Sequence, residues 1–206
     1  MLFRQTIVAA SAVLYWGGVV LNIRRIKRRL GKSPNVRPRG PKEWGLWLGW
    51  FLVIAGWVGQ PILIGGFSAV GLLSFIYPLD GLAAAVTGTA LILSGHAGTL
   101  WCYAALGDAW RMGVDRRERT GLVTGGPYGL VRHPIYLFQI IILTGAMFLL
   151  PTPLSMLIIG VHFTCVLVKS LDEEAHLMRV HGSAYRVYCE RTGRLLPKLR
   201  SLRLFF

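Results

Sequence analysis

Apolar positions along this chain fall in long unbroken runs, not in strict alternation. The first runs from Thr6 to Ile23, the second from Trp44 to Gly65 and the third from Gly81 to Leu106. Two shorter runs follow, Ile135 to Leu150 and Leu154 to Val168, separated by Pro151-Thr152-Pro153. A helix crosses a bilayer with about 20 apolar residues. The pattern therefore predicts an all-α integral membrane fold with five transmembrane helices, the last two joined as a tight hairpin. The 11 residues Phe67 to Tyr77 are apolar but reach about half a span. They read as a non-spanning segment on the outer side, packed on or beside the second span.

Composition agrees with a membrane setting: 53% of the 206 residues are hydrophobic and 16% charged, against about a quarter charged in soluble domains. The net charge of +14 is segregated along the chain. Nine basic residues lie between Arg24 and Lys42, five between Arg111 and Arg132, and eight between Lys169 and Arg203, leaving only Arg4 of the 23 elsewhere. With five spans these three segments share one side. The positive-inside rule makes that side the cytoplasm, with the N-terminus outside and the C-terminus inside. Such segregation fits lipid headgroups as partners and gives no reason to expect nucleic acid. The expected location is the plasma (inner) membrane. Ala9-Ala10-Ser11-Ala12 faintly resembles a cleavage site, but the apolar run continues for ten more residues into a basic cluster, as in an uncleaved anchor. The expected organisation is a three-span region, residues 1–106 with a basic cytoplasmic loop at 24–43, followed by a second region at 107–206. That second region comprises a loop, the hairpin 135–168 and a cytoplasmic tail.

Chemistry has few places to sit. Cys102, Cys165 and Cys189 are odd in number and imply no disulfide framework. No set of His, Cys or carboxylates has metal-ligand spacing, so no metal site is expected. His96 and His162 lie inside spans and are expected to hydrogen-bond a neighbouring helix. Gly88, Gly95 and Gly98 are expected to let helices approach closely. A dinucleotide-binding glycine turn would need a preceding strand, and none is present.

The remaining candidate is "LVTGGPYGLVRHPIY" with "VKSLDEEAHLMRVHGSAYRVYCERTGRLLP". Pro134 suits the first position of a helix, whose open backbone donors and positive dipole favour an anion. Arg132 and His133 add side-chain donors there. The two short spans cover only about 23 Å each at 1.5 Å per residue, so the start of one should face the end of the other. Lys169, Glu173 and Glu174 enter where the apolar run stops, and Lys169 and Glu173 share a helix face on which they can pair or flank one ligand. Beyond them Leu177, Val180, Ala184, Val187 and Tyr188 recur at helical spacing against Arg179, Arg186 and Glu190, predicting an amphipathic interfacial helix interrupted at Gly182. Cation, helix tip and carboxylate would thus enclose a polar zwitterionic ligand, with a lipophilic partner entering between helices.

The Gly-Pro-Tyr turn, the Arg-His-Pro-x-Tyr motif, the Glu-Glu pair and the Gly-x-x-Tyr-x-x-Tyr spacing, in that order over Leu106 to Pro197, resemble the isoprenylcysteine carboxyl methyltransferases and their phospholipid methyltransferase relatives. "LGDAWRMGVD" resembles the prokaryotic branch. The resemblance implies S-adenosylmethionine as cofactor and a lipophilic or lipidated acceptor. It implies backbone contacts to the cofactor from Gly121, Leu122 and Val123, a lining of Tyr128, His133, Pro134, Ile135 and Tyr136, and Glu173 on the ammonium group. Lys169, a point charge at the family's basic position where the eukaryotic carboxyl methyltransferases tend to have arginine, would stand near the acceptor. Methyl transfer depends chiefly on positioning. A carboxylate acceptor needs no base and would be oriented by Lys169 or Arg132, whereas a lipid amine would surrender a proton to a base such as Glu174. The Tyr185–Cys189 stretch is also similar to membrane sterol and isoprenoid reductases that use a nicotinamide cofactor. A non-enzymatic membrane protein retaining the motif is the remaining alternative.

Overall fold

The computed structural model describes residues 1–31, 38, 40–67, 71–77, 81–110 and 121–198. Much of the basic loop after the first helix, the Arg111–Arg119 cluster, residues 68–70 of the outer segment, and Arg200 and Arg203 lie outside the described residues. Six α-helices occur among the described residues: α1 (Leu2–Leu30), α2 (Pro41–Phe67), α3 (Leu82–Leu106), α4 (Pro134–Leu149), α5 (Pro153–His181) and α6 (Ser183–Arg191). The only β-type pairing among the described residues is an isolated parallel bridge between Val131 and Gly193.

Four helical stretches are long and apolar enough to cross a membrane: Leu2–Arg29, Pro41–Gly66, Leu82–Ala109 and Pro153–His181. Helix α4 is apolar but has only 16 residues, about 24 Å of helix against a hydrocarbon core of about 30 Å. Helices α1, α2 and α5 overrun their apolar stretches because backbone hydrogen bonding continues past the point where side chains turn polar, whereas α3 coincides with its run. This matters most in α5. The helix does not stop at Val168 but carries Lys169, Glu173 and Glu174 on its own last turns.

The chain divides into two compact units that are not consecutive in sequence. The first comprises Met1–Leu21, Pro38–His96 and Gln139–Cys165. Here α3 and α4 approach through glycine: a Cβ on Gly88 would lie 2.7 Å from the Gly145 carbonyl oxygen, and one on Gly145 would lie 2.6 Å from that of Gly88. Only residues without a side chain allow that spacing. The hairpin turn is tied down by buried Gln60, whose amide donates to Thr152 Oγ1 at 2.7 Å and Ser155 Oγ at 2.8 Å. Ser155 in turn donates to the Leu150 carbonyl at 2.6 Å. Arg4, the one basic residue outside the three basic segments, donates to the Gly81 carbonyl at 2.8 Å. The short turn Gly71–Leu73 packs on α2, as expected of a non-spanning segment, and the Ile76 amide donates to the Pro151 carbonyl at 2.8 Å.

The two intramembrane histidines differ. His96 Nε2 lies 3.0 Å from Ser11 Oγ, the interhelical bond expected of it. His162 departs from that expectation, since both its ring nitrogens are buried and have no hydrogen-bond partner among the described residues. Its ring instead meets Trp50 edge-on, with centroids 4.8 Å apart at 79°, so an aromatic contact takes the place of the hydrogen bond.

The second unit comprises Asn22–Arg37, Ala97–Phe138 and Val166–Phe206. The Phe138 ring lies over Gly98, where any Cβ would collide with it. Gly182 adopts φ +54° between α5 and α6, a conformation that glycine takes without the Cβ penalty. That break separates α5 from α6 at the position predicted for the interruption. In α6 the buried residues are Tyr185 and Tyr188, whereas Val187 is 45% exposed.

Candidate active site

The second unit holds a compact group of ionic side chains built from three pieces of chain. The first is the turn before α4. Gly126–Gly129 forms one 3₁₀ turn whose Pro127 and Tyr128 are buried, and the Tyr128 carbonyl accepts from the Tyr188 hydroxyl at 2.7 Å. This presents Arg132 and His133 just ahead of Pro134. The second piece is the polar end of α5. The third is the segment after α6, where the Arg132 amide donates to the Gly193 carbonyl at 2.8 Å and the His133 amide to that of Arg194 at 3.1 Å.

Glu174 is the hub. Its Oε1 accepts from Arg132 Nε at 2.9 Å and Arg194 Nε at 3.0 Å, and its Oε2 accepts from Arg194 Nη2 at 2.8 Å. The Arg132 guanidinium, whose side chain is only 10% exposed, also donates to the carbonyls of Cys189 and Thr192. His133 stands between two carboxylates, with Nδ1 3.4 Å from Glu173 Oε2 and Nε2 3.3 Å from Glu174 Oε1. Only the doubly protonated ring can donate to both. Tyr136 stacks on the His133 ring at 5.8 Å and 18°, and its hydroxyl donates to Glu173 Oε1 at 2.8 Å.

Burial pulls the His133 pKa down, but its hydrogen bonds to Glu173 and Glu174 and the charges of those carboxylates push it up and prevail, leaving it above the usual 6.5. A raised folded-state value contributes stability that is fully present below the unfolded pKa and is lost as pH climbs through the folded one. Thermal unfolding followed in detergent should therefore show a midpoint that declines as pH rises from about 6.5, and His133→Gln should remove that dependence. A wild-type midpoint flat with pH, or unaltered by His133→Gln, contradicts the imidazolium assignment. Among the described residues the charged groups facing this ring are Glu173 and Glu174 from α5, and Glu174 is in turn held by Arg132 and by Arg194 of the C-terminal segment.

The expected proximity of the α4 tip and the acidic end of α5 is thus present, with several details changed. The backbone donors of Arg132 and His133 are taken by carbonyls of the C-terminal segment. Arg132 and Glu174 engage one another, so neither stands open. Lys169 does not pair with Glu173; among the described residues no hydrogen bond or ion pair engages it, and it is half-buried. Gly121 is exposed, while Leu122, Val123, Ile135 and Tyr136 are half-buried and Pro134 is buried. A small apolar cleft of about 50 Å³ lies beside the tip, lined by Pro127, Leu130, Val131, Pro134, Phe138 and Pro197 among others. His133 and Glu173 do not line it. Sequence reasoning missed Arg194 as a site residue. Its partner lies 20 residues away across a helix break, and no periodicity reports such a pair.

The described residues thus define a helical protein with four helices able to span a membrane and a carboxylate–guanidinium–imidazole cluster at one helix tip. Residues 83–184, just under half of the chain, match the model of the phospholipid methyltransferase family. The family is one of methyltransferases, and the match supports that class for this chain. With the four long apolar helices, it makes the chain an integral membrane protein. The matched stretch contains Arg132, His133, Glu173 and Glu174 but ends before Tyr185 and Arg194. The chain is also similar to the nickel-cobalt-cadmium resistance protein NccN of Alcaligenes xylosoxydans xylosoxydans, 26% identical over 106 residues, which are 52% of this chain and 46% of that protein. The match thus spans about half the length of that curated relative. Among the described residues no group of three or more His, Cys, Asp or Glu is placed to hold a metal ion.

Proposed function

We propose that the chain is an S-adenosylmethionine-dependent methyltransferase acting at the cytoplasmic membrane face on a lipophilic acceptor, and that it methylates a carboxylate of a prenylcysteine-like or other lipid. In this reading α4 is a fifth crossing, the N-terminus is outside, and residues 107–206 form the catalytic region in the inner membrane. The charge segregation supports that orientation.

The observation that carries the reading is the difference between the two glutamates. Glu174 is held by two guanidiniums and faces His133, whereas Glu173 is held by a phenol and faces the same histidine, with its side chain 22% exposed. An ionised carboxylate has about four acceptor sites, so Glu173 retains capacity for an ammonium group. The residues present therefore fit the cofactor's amino-acid end. Tyr136, flat against His133, offers an aromatic surface with Tyr128, Pro134 and Ile135 nearby in sequence, and Gly121, Leu122 and Val123 would supply backbone contacts. When bound, S-adenosylmethionine supplies a methyl group on a positively charged sulfur.

The same difference bears on the acceptor. A lipid amine must lose a proton before it can attack, and Glu174, locked by Arg132 and Arg194, is a poor base for the purpose. A carboxylate is already a nucleophile and needs only to be held, a task that fits Lys169. In this account Arg132 and Glu174 position the site and do not touch the acceptor. Purified protein incubated with methyl-labelled cofactor and a total lipid extract should transfer base-labile label, the mark of an ester. Base-stable label would move the assignment to a lipid amine, and no labelled product would overturn the methyltransferase reading.

A further inference from the structure

The segment from Thr192 to Pro197 has no regular secondary structure beyond its bridge to Val131, yet it is held at several points. Gly193 pairs with Val131, and its turn is so tight that any Cβ there would strike the Leu196 carbonyl. The carbonyls of Gly193 and Arg194 accept from the amides of Arg132 and His133. At the far end Lys198 Nζ donates to the Cys189 carbonyl at 2.7 Å and the Glu190 carbonyl at 3.2 Å, closing the last turn of α6. Pro197 reaches the cleft beside Pro134. Among the described residues, the side-chain link from this strap to α5 is the fork of Arg194 on Glu174.

We propose that Arg194 is a positioning residue for this site, fixing the strap across the tip of α4 and setting His133 between Glu173 and Glu174. Two couplings run from this one residue to His133. Its backbone carbonyl accepts the His133 amide, and its guanidinium holds both oxygens of the carboxylate that faces His133 Nε2. With the guanidinium bound, Glu174 is committed and the His133 Nδ1 side remains directed at Glu173. Without it, one Glu174 oxygen loses its partner and the cluster of Arg132, Arg194, Glu173 and Glu174 loses one positive charge. The imidazolium would then be held more tightly and more toward Glu174.

The test uses the full chain in lipid nanodiscs with labelled histidine, the His133 resonance being assigned by its loss in His133→Gln. Arg194→Met should raise the His133 titration midpoint by about half a unit, a shift moderated by the partial exposure of Arg194. It should also weaken S-adenosylmethionine binding about tenfold, the scale of losing a charge-assisted fork. Arg194→Lys should restore the midpoint, because charge is kept, and only part of the affinity, because the fork is not. Should Arg194→Met not fold, Arg194→Gln, which retains one amide donor, carries the same comparison. A midpoint unmoved or lowered by loss of the charge overturns the proposal even if affinity falls, since general loosening would weaken the contacts of His133 with both carboxylates and lower the midpoint. The affinity arm rests on the methyltransferase reading, but the midpoint arm does not. A wild-type protein that binds no S-adenosylmethionine sinks that reading, while a shifted midpoint would still support the role of Arg194.

Discussion

Glu173→Ala is expected to weaken S-adenosylmethionine binding by about 100-fold, or roughly 3 kcal/mol, the scale of truncating one partner of a partly buried charged pair. Among the described residues Glu173 is the carboxylate of the cluster that no guanidinium holds, and its side chain remains accessible. Glu173→Gln would keep an oxygen for the Tyr136 hydroxyl and lose only the charge. It should therefore remain folded, with a weaker pH dependence of unfolding, while binding as poorly as the alanine variant. Calorimetric titration of the three proteins separates the outcomes. Wild-type affinity in both variants removes Glu173 from the cofactor site, and recovery in Glu173→Gln alone would show that the residue matters for packing and not for charge.

Arg132→Ala is expected to have the largest structural effect. Its guanidinium joins Glu174 on α5 to the carbonyls of Cys189 and Thr192 at the end of α6. Removing it leaves a largely buried carboxylate with one cation fewer and two carbonyls without that donor. Breaking a buried pair costs about 3–5 kcal/mol. Arg194 stays on Glu174, so the lower end, about 3 kcal/mol, is expected. The unfolding temperature in detergent should fall, and turnover should fall with it because His133 loses its setting. Arg132→Lys should not rescue either property, since one ammonium cannot present a planar fork to three acceptors. Full turnover and stability in Arg132→Lys would show that position 132 needs only a positive charge.

Particular residues show how far the sequence could be read. The long helices were legible because runs of apolar side chains without charges have few other uses, and the contact of His133 with Glu173 followed from the Pro-Thr-Pro turn between two short runs. The end of α5 was legible from Gly182, before which the helix stops at His181, and not from hydropathy, because the apolar run ends at Val168 while backbone hydrogen bonding carries the helix on through Lys169, Glu173 and Glu174. The break at Gly182 was legible from the glycine itself, but the burial of Tyr185 was not, because that residue stood outside the apolar pattern. The pairing of Arg132 and Glu174 with one another was equally hidden. From sequence each looked open to a ligand, and only their distance shows that they are committed. His162 resisted for a similar reason: a histidine in a span was expected to find a hydrogen bond and instead meets a tryptophan edge-on.

The central claim is that the tip of α4 and the acidic end of α5 hold one small molecule together. Ultraviolet cross-linking of methyl-labelled S-adenosylmethionine to the purified chain, with the labelled peptides mapped by mass spectrometry, tests it most directly. The account predicts label within residues 121–136 and 169–177, displaced by excess unlabelled cofactor and lost in Glu173→Ala. Displaceable label confined to residues 1–110, or none that excess cofactor displaces, would contradict it.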